Sequence, residues 1–509
     1  MAGVWLGSSF RSLDGVRSRA ARLAAALPGL GAPAGAAVLL LARNSFLPLE
    51  ATMAVAAAGG QVVPVSPYAT DRELAYLQQD SGARTVIGDA DLLRPMRLVL
   101  GDVVAVAQRT PAEVAGAFGI GTADREVPSW CVDYESVAEA DPAISPAPAH
   151  RDATMSSLFY TSGITGKPKG VLRSAPDRDQ AAQRPAVLAA CYGLTADSVG
   201  LVTTPLCHMF ASNFAQTLLR LGGTVVIMPR FDAIGFLRLI ERHRVTNTIV
   251  VPTMLVRLLR LDPGERAGYD VSSLRRVLHT GAPCPARVKR AAIDWLGPVV
   301  WEQYGSTETG VVALCSSTEW LAHPGTVGRA FLGSLIKIYT ESGEPCPAGV
   351  AGQVYARMPS TPDFTYLGRP EARAAVERDG LIWAGDIGQL DADGYLYLHD
   401  RRVDLIVSGG NNVYPAEVEA ELAAHPGVGD CAVFGVPDEE FGQRVVAVLS
   451  LRSPGPGELP DFASFLRAAL AGYKVPRQFV VVGEVPRNES GKLLRRLARD
   501  RYLHQVTVR

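Results

Sequence analysis

The stretch that decides the reading is Tyr160-Thr161-Ser162-Gly163-Ile164-Thr165-Gly166-Lys167-Pro168-Lys169-Gly170. Ser156 to Phe159 before it passes from polar to apolar, and Val171-Leu172 resumes an apolar run, so it reads as a loop between two extended segments. It holds three aliphatic hydroxyls, three glycines and two lysines. Glycines let backbone N–H groups turn toward a ligand with no Cβ in the way. Such a nest of amides, with hydroxyl and ammonium groups, suits a polyphosphate. It differs from the common nucleotide-kinase loop, which needs Gly where Thr161 stands and Ser or Thr where Pro168 stands. An ordinary Gly/Ser/Thr-rich surface loop has the same composition, and the eleven residues alone leave the two readings open.

The chain has 509 residues, too many for one core, and implies two or more domains. Its 48% hydrophobic and 20% charged residues are ordinary for a globular protein, and a net charge of −1 gives no electrostatic case for nucleic acid or an anionic membrane. Positive charge is almost all arginine; the six lysines are Lys167, Lys169, Lys289, Lys337, Lys474 and Lys492. A lysine kept where arginine is the rule suggests a need for a compact ammonium. Seven scattered cysteines form no close pairs and indicate neither a disulfide framework nor a zinc site. The first residues lack a charged-then-apolar leader, and Ala36 to Ala42 is too short to span a membrane, so the expected location is the cytoplasm.

Along the chain, an Ala/Arg-rich helix from Ser9 to Leu27 precedes strand Ala37–Leu41, a helix over 51–58, strand 62–65, a helix over 73–79 and strand 85–87. Asp124 to His150 reads as a polar, Pro/Ala-rich connector. Strand and helix alternate again from Leu201 to Gln303, where the strand from Val299 to Gln303 leads into Tyr304-Gly305-Ser306 at its C-terminal end. This rhythm predicts doubly wound parallel sheets. From Gly325 the pattern turns to strands and turns, a small β-rich subdomain. A boundary falls at 402/403, dividing an N-terminal domain, 1–402, from a compact α+β C-terminal domain, 403–509.

The loop at 160–170 closely resembles the phosphate loop of the adenylate-forming enzymes, among them acyl- and aryl-CoA synthetases, luciferases and the adenylation domains of peptide synthetases. Further motifs follow in that family's order. The resemblance implies that Thr161, Ser162, Gly163, Thr165, Gly166 and Lys169 cradle the phosphates of ATP; Ile164 replaces the family's usual hydroxyl residue. Gly281-Ala282-Pro283 matches the segment lining the adenine and acyl pocket. Tyr304-Gly305-Ser306-Thr307-Glu308 matches the adenine and metal segment: Tyr304 would stack on adenine, Gly305 would border both adenine and acyl group, Thr307 would reach the phosphates and Glu308 would hold Mg²⁺. Asp386 matches the carboxylate that binds the ribose hydroxyls, with Ala384 where Thr is usual, and Arg401 would add a ribose or phosphate contact. Arg487-Asn488-Glu489-Ser490-Gly491-Lys492 resembles the motif whose lysine stabilises charge on the reacting α-phosphate. Gly409 and Gly410 match the loop past which a pantetheine arm runs. Val403 stands at the hinge, where Asp or Lys is usual. His208 matches the mouth of the acyl pocket, lined also by Met209 and Phe210; the family's amino-acid-activating members keep an Asp where Met209 stands, so an apolar or aromatic acid fits better than an α-amino acid.

The expectation is an ATP- and Mg²⁺-dependent ligase with Lys492, His208, Thr165 and Glu308 as catalytic residues. It forms acyl-AMP from a small-molecule carboxylic acid and passes the acyl group to CoA. A phosphopantetheine carrier protein, an amine or another nucleophile stays open as acceptor, as does a homodimer. A rival is a nucleotide-binding protein that has lost catalysis: Ile164, Ala384, Gln353 and Val403 speak for it, and Thr165, Lys169, Glu308, Asp386 and Lys492 against.

Overall fold

The computed structural model describes residues 2–140, 157–161, 168–401, 404–408, 411–438, 441–452, 460–470, 472–488 and 491–507. Ser162, Gly163, Ile164, Thr165, Gly166, Val403, Gly409 and Gly410 lie outside these, as does the expected boundary at 402/403.

The architecture is the expected α/β one. A five-stranded, all-parallel sheet runs in the order Gln61–Val65, Ala37–Leu41, Thr85–Asp89, Val104–Gln108, Val132–Asp133. The second strand in that order, Ala-Val-Leu-Leu-Leu, is apolar throughout because both faces are covered. A nine-stranded sheet follows, with six parallel strands (Val300–Ser306, Arg276–His279, Asn247–Val250, Val199–Val202, Thr224–Ile227, Gly3–Leu6) and antiparallel edges. Alternate residues of one strand feed two cores: Val225 and Ile227 pack with Phe214 and Leu218, Val226 with Phe236 and Leu237. The β-rich part is an antiparallel sheet of Leu335–Tyr339, Gly352–Arg357, Leu381–Leu390, Glu377–Arg378 and Leu396–Arg401. Residues beyond 404 carry cores of their own, around Val433, Val445 and Phe462 on one side and Phe434, Val446 and Tyr502 on the other.

Three expectations are corrected and one helix is added. Ser9–Ser12 is a strand hairpinned onto Gly3–Leu6, and the helix begins only at Leu13, where the Ser12 hydroxyl accepts the Gly15 N–H at 3.1 Å. The hairpin forms because Gly3–Leu6 pairs in parallel with Thr224–Ile227, a partner far along the chain. Part of the supposed connector is structured: Val132–Asp133 extends the first sheet, and Tyr134 is fully buried, its hydroxyl donating to Glu50 at 2.5 Å. Tyr304, Gly305 and Ser306 continue their strand, paired antiparallel with Gly310–Cys315 across a bulge at Tyr304/Gly305. Helix Arg495–Thr507 was not expected, because its buried stripe is as narrow as Ala498 and Tyr502. Among the described residues no helix is long and apolar enough to cross a membrane.

Candidate active site

The phosphate-loop stretch hangs on a hairpin. Phe159–Thr161 pairs antiparallel with Lys169–Arg173, Thr161 opposite Lys169, and Phe364–Tyr366 adds a third strand. These strands border a cavity of about 500 Å³. Of the expected site residues it brings together Thr161, Lys169, His208, Met209, Phe210, Gly281, Gly305, Thr307, Glu308 and Lys492. Ala282 and Pro283 are not among its lining, and Pro283 is exposed.

At the phosphate-loop end, the Thr161 hydroxyl donates to Glu308 Oε1 at 3.1 Å and the Tyr366 hydroxyl donates to the same oxygen at 3.2 Å. Lys169 Nζ lies 4.9 Å from the centre of the Tyr366 ring. Arg173 fixes this segment from beneath. Its guanidinium donates to the carbonyls of Thr307, Glu308 and Pro362 and sits over the Phe364 ring. Burial, and then the nearby Arg184, press its pKa down to about 9. Sequence reading missed Arg173 because nothing in its neighbours marks it; only the hairpin turns it under Glu308.

Gly305 stands where the strand bulges, and any Cβ there would lie 2.1 Å from the Gly310 carbonyl oxygen. Only glycine lets the two strands close at this point. Tyr304 and Asp386 sit just outside the cavity lining and meet each other: the Tyr304 hydroxyl donates to Asp386 Oδ2 at 2.8 Å. Trp383 Nε1 donates to the Asp386 carbonyl at 3.2 Å, and the Asp386 backbone pairs with that of Arg401 on the next strand.

The other end of the cavity is mostly apolar, walled by Val187, Leu188, Tyr192, Phe210, Val311 and Met358. His208 occupies the N-cap of helix Met209–Leu221 in extended backbone, and its side chain makes no cap bond. Sequence reading also missed Asn213, four residues after Met209 and hence on the same helix face.

Lys492 reaches the cavity from the C-terminal part of the chain. Its backbone N–H donates to Asn488 Oδ1 at 2.8 Å, and Asn488 N–H donates back to the Lys492 carbonyl at 2.9 Å, closing a tight turn. Arg487 holds that turn, donating to the Gly491 carbonyl and forming a two-pronged pair with Asp430 at 2.7 Å on each prong. Across the divide, Arg260 donates to the Gly429 carbonyl at 2.8 Å and Arg287 to that of Ala423.

The chemistry of the donor set suits a magnesium ion. Glu308 is a carboxylate that lines the cavity with one oxygen engaged by two hydroxyls, and Mg²⁺ takes one or two carboxylates with phosphate and water for the rest. Among the described residues no group of three or more His, Cys, Asp or Glu forms an all-protein metal cage.

Residues 10–362 match the model of the AMP-binding enzymes and 417–492 that of the AMP-binding enzyme C-terminal domain. The chain is 35% identical over 488 residues to a feruloyl-CoA synthase of Amycolatopsis, covering 95% of this chain and 92% of that one. Among solved structures it is similar to the amide bond synthetase McbA of Marinactinospora thermotolerans (TM-score 0.83, 27% identity, 98% and 97% of the two chains). It is also similar to the o-succinylbenzoate-CoA synthetase of Bacillus subtilis in complex with ATP and a magnesium ion (TM-score 0.81, 27% identity, 98% and 96%). The chain therefore belongs to the AMP-binding enzymes, the adenylate-forming superfamily of acyl- and aryl-CoA synthetase type, and is an AMP-forming acid–thiol ligase.

Proposed function

We propose that this cavity activates an apolar or aromatic carboxylic acid with ATP and delivers the acyl group to CoA. The observation that carries the reading is that Lys492, held by the C-terminal turn, enters the same cavity as Thr161, Lys169, Glu308 and His208. The substrate carboxylate enters beside His208 and attacks the α-phosphorus; the oxygen bridging to the β-phosphate leaves with pyrophosphate. Negative charge gathers on the phosphate oxygens, where the Lys492 ammonium stabilises it in a site screened from water. Lys169 and Thr161 hold the leaving phosphates, and Asp386, oriented by Tyr304, accepts hydrogen bonds from the ribose. Glu308 and the phosphates would hold Mg²⁺, which supplies electrostatic neutralisation of the polyphosphate. His208 and Phe210 border the acyl group, and Met209, carrying no charge, offers nothing to an α-amino group. A thiol then displaces AMP, which requires Lys492 and its turn to leave; we place the pivot at Val403 and the pantetheine path at Gly409 and Gly410.

CoA is the acceptor favoured by the feruloyl-CoA synthase relative, which also favours an aryl acid. The cysteines, all free, suit a reducing cytoplasm. The test is pyrophosphate release from ATP and Mg²⁺ across a panel of carboxylic acids, with and without CoA, products identified by mass. Acyl-CoA from one acid class is the expected result. Acyl-AMP that accumulates beside untouched CoA would refute the acceptor; trace release with every acid would refute activation itself and favour a lapsed nucleotide-binding protein.

A further inference from the structure

The two rims of the phosphate-loop hairpin are tied by three side chains that are not part of the cavity lining: Tyr76, Asp80 and Arg369. Tyr160 immediately precedes Thr161, and Pro168 immediately precedes Lys169. On the first rim, the Tyr160 hydroxyl donates to Asp80 Oδ2 at 2.9 Å. On the other, the Pro168 carbonyl accepts the Tyr76 hydroxyl at 2.7 Å and Arg369 Nη1 at 3.2 Å. Arg369 joins the two halves, because its Nη2 donates to the Tyr76 hydroxyl at 2.8 Å and to Asp80 Oδ1 at 2.9 Å. A carboxylate, a guanidinium and two phenols thus connect Tyr160 to Pro168. Burial, and then the bond to Asp80, raise the Tyr160 pKa, so its hydroxyl keeps the proton that it donates.

The three partners come from two elements distant from the hairpin in sequence. Tyr76 and Asp80 stand four residues apart on one face of helix Asp71–Ser81, whose start Thr70 and Glu73 close with reciprocal capping bonds. Arg369 follows strand Phe364–Tyr366, and its backbone N–H donates to the Tyr366 carbonyl at 2.9 Å. Side chains alternate along a strand. The Tyr160 hydroxyl is therefore tied on one face while, one residue on, that of Thr161 bonds Glu308 on the other. Gly170 stands opposite Tyr160, and a Cβ there would lie 3.1 Å from the phenol Cζ, so the ring takes space that a side chain at 170 would crowd. The Arg369–Asp80 pair is 28% and 17% exposed, and such a pair stabilises little by itself. Joined to both phenols, it fixes where the two rims stand.

We infer that Tyr76, Asp80 and Arg369 are positioning residues that fix Thr161 and Lys169 at the spacing the outer phosphates of ATP require, so that their loss weakens ATP binding and spares AMP. The inference rests on the proposed holding of the leaving phosphates by Thr161 and Lys169, and its test separates the two. The full-length wild-type chain, Tyr160→Phe, Asp80→Ala, Arg369→Met and Lys169→Ala are each titrated calorimetrically with magnesium ATP and with AMP. Tyr160→Phe, which removes one hydroxyl and leaves the ring, is expected to weaken ATP about 3- to 10-fold. Asp80→Ala and Arg369→Met break the connection at its centre and are expected to weaken ATP about 10- to 30-fold, with AMP changing less than about 2-fold in all three. Tyr160→Phe added to Asp80→Ala is expected to cost nothing further, since both act through one carboxylate. ATP and AMP weakened alike, or ATP unchanged in Tyr160→Phe, overturns the inference, and the milder variant decides the matter even where the other two do not fold. Additive losses in the double variant overturn the connection through Asp80. Lys169→Ala tests the underlying reading. Equal weakening of ATP and AMP there refutes Lys169 as a phosphate ligand and the inference with it. An ATP-selective loss there, with none in the other three, overturns the inference alone.

Discussion

Replacing Gly491 by alanine tests how the Lys492 turn works. Gly491 has φ +74°, and a Cβ there would lie 2.2 Å from Thr253 Oγ1 and 3.2 Å from Thr253 Cβ. Two costs arise. The left-handed backbone costs an alanine about 1–2 kcal/mol wherever the C-terminal unit stands. The collision exists only while the turn is docked against helix Pro252–Leu259, and relieving it by shifting the turn or forcing Thr253 off its rotamer costs about 1–2 kcal/mol more. Only the second cost discriminates between the half-reactions, and it corresponds to about a 5- to 30-fold slower adenylation. The assay is ATP–pyrophosphate exchange for the first half-reaction and transfer to CoA from preformed acyl-adenylate for the second. Exchange should fall by that factor while transfer changes by less than about 3-fold. Removing the colliding oxygen, in Gly491→Ala/Thr253→Ala, should restore most of the exchange, with Thr253→Ala alone as the control. Equal losses in both half-reactions, or no recovery in the double variant, would refute the docked turn as the adenylating arrangement.

Lys492→Ala should lower pyrophosphate release by about 10²–10³-fold and spare transfer from preformed acyl-AMP, since the ammonium acts on charge that develops only in the first step; a loss shared by both steps counts against its role. A pH effect follows from Asp89, which is fully buried. Burial lifts its carboxyl to about 7 even though the Arg43 N–H donates to it at 2.8 Å. The folded state then holds this proton more tightly than the unfolded state, so stability falls as pH rises from about 4 to about 7 and levels off above. Asp89→Asn removes that slope. Its Tm advantage over the wild type should grow between pH 5 and pH 8, toward a ceiling of about 4 kcal/mol; a pH-independent difference would show that Asp89 does not titrate in this window.

The sequence by itself determined the α/β class, the alternation of the two large sheets and the order of the site motifs. Inner strands such as Ala37–Leu41 are continuous apolar runs, and motifs such as 160–170 combine residue types that local chemistry makes legible. Tertiary structure decided what depends on partners distant in the chain. Gly3–Leu6 and Ser9–Ser12 are strands because Thr224–Ile227 offers an open edge. Tyr304–Ser306 stays extended because Gly310–Cys315 folds back on it, with Gly305 as the one side chain small enough at the contact. Arg173 carries no local mark, yet the hairpin carries it beneath Glu308. Asn213 and Thr204 look like ordinary helix and strand-end residues in the sequence; only the packed cavity leaves their polar atoms buried and unpaired. Composition and periodicity report what a residue does to its own segment, whereas desolvation and hydrogen-bond satisfaction are properties of the assembled site.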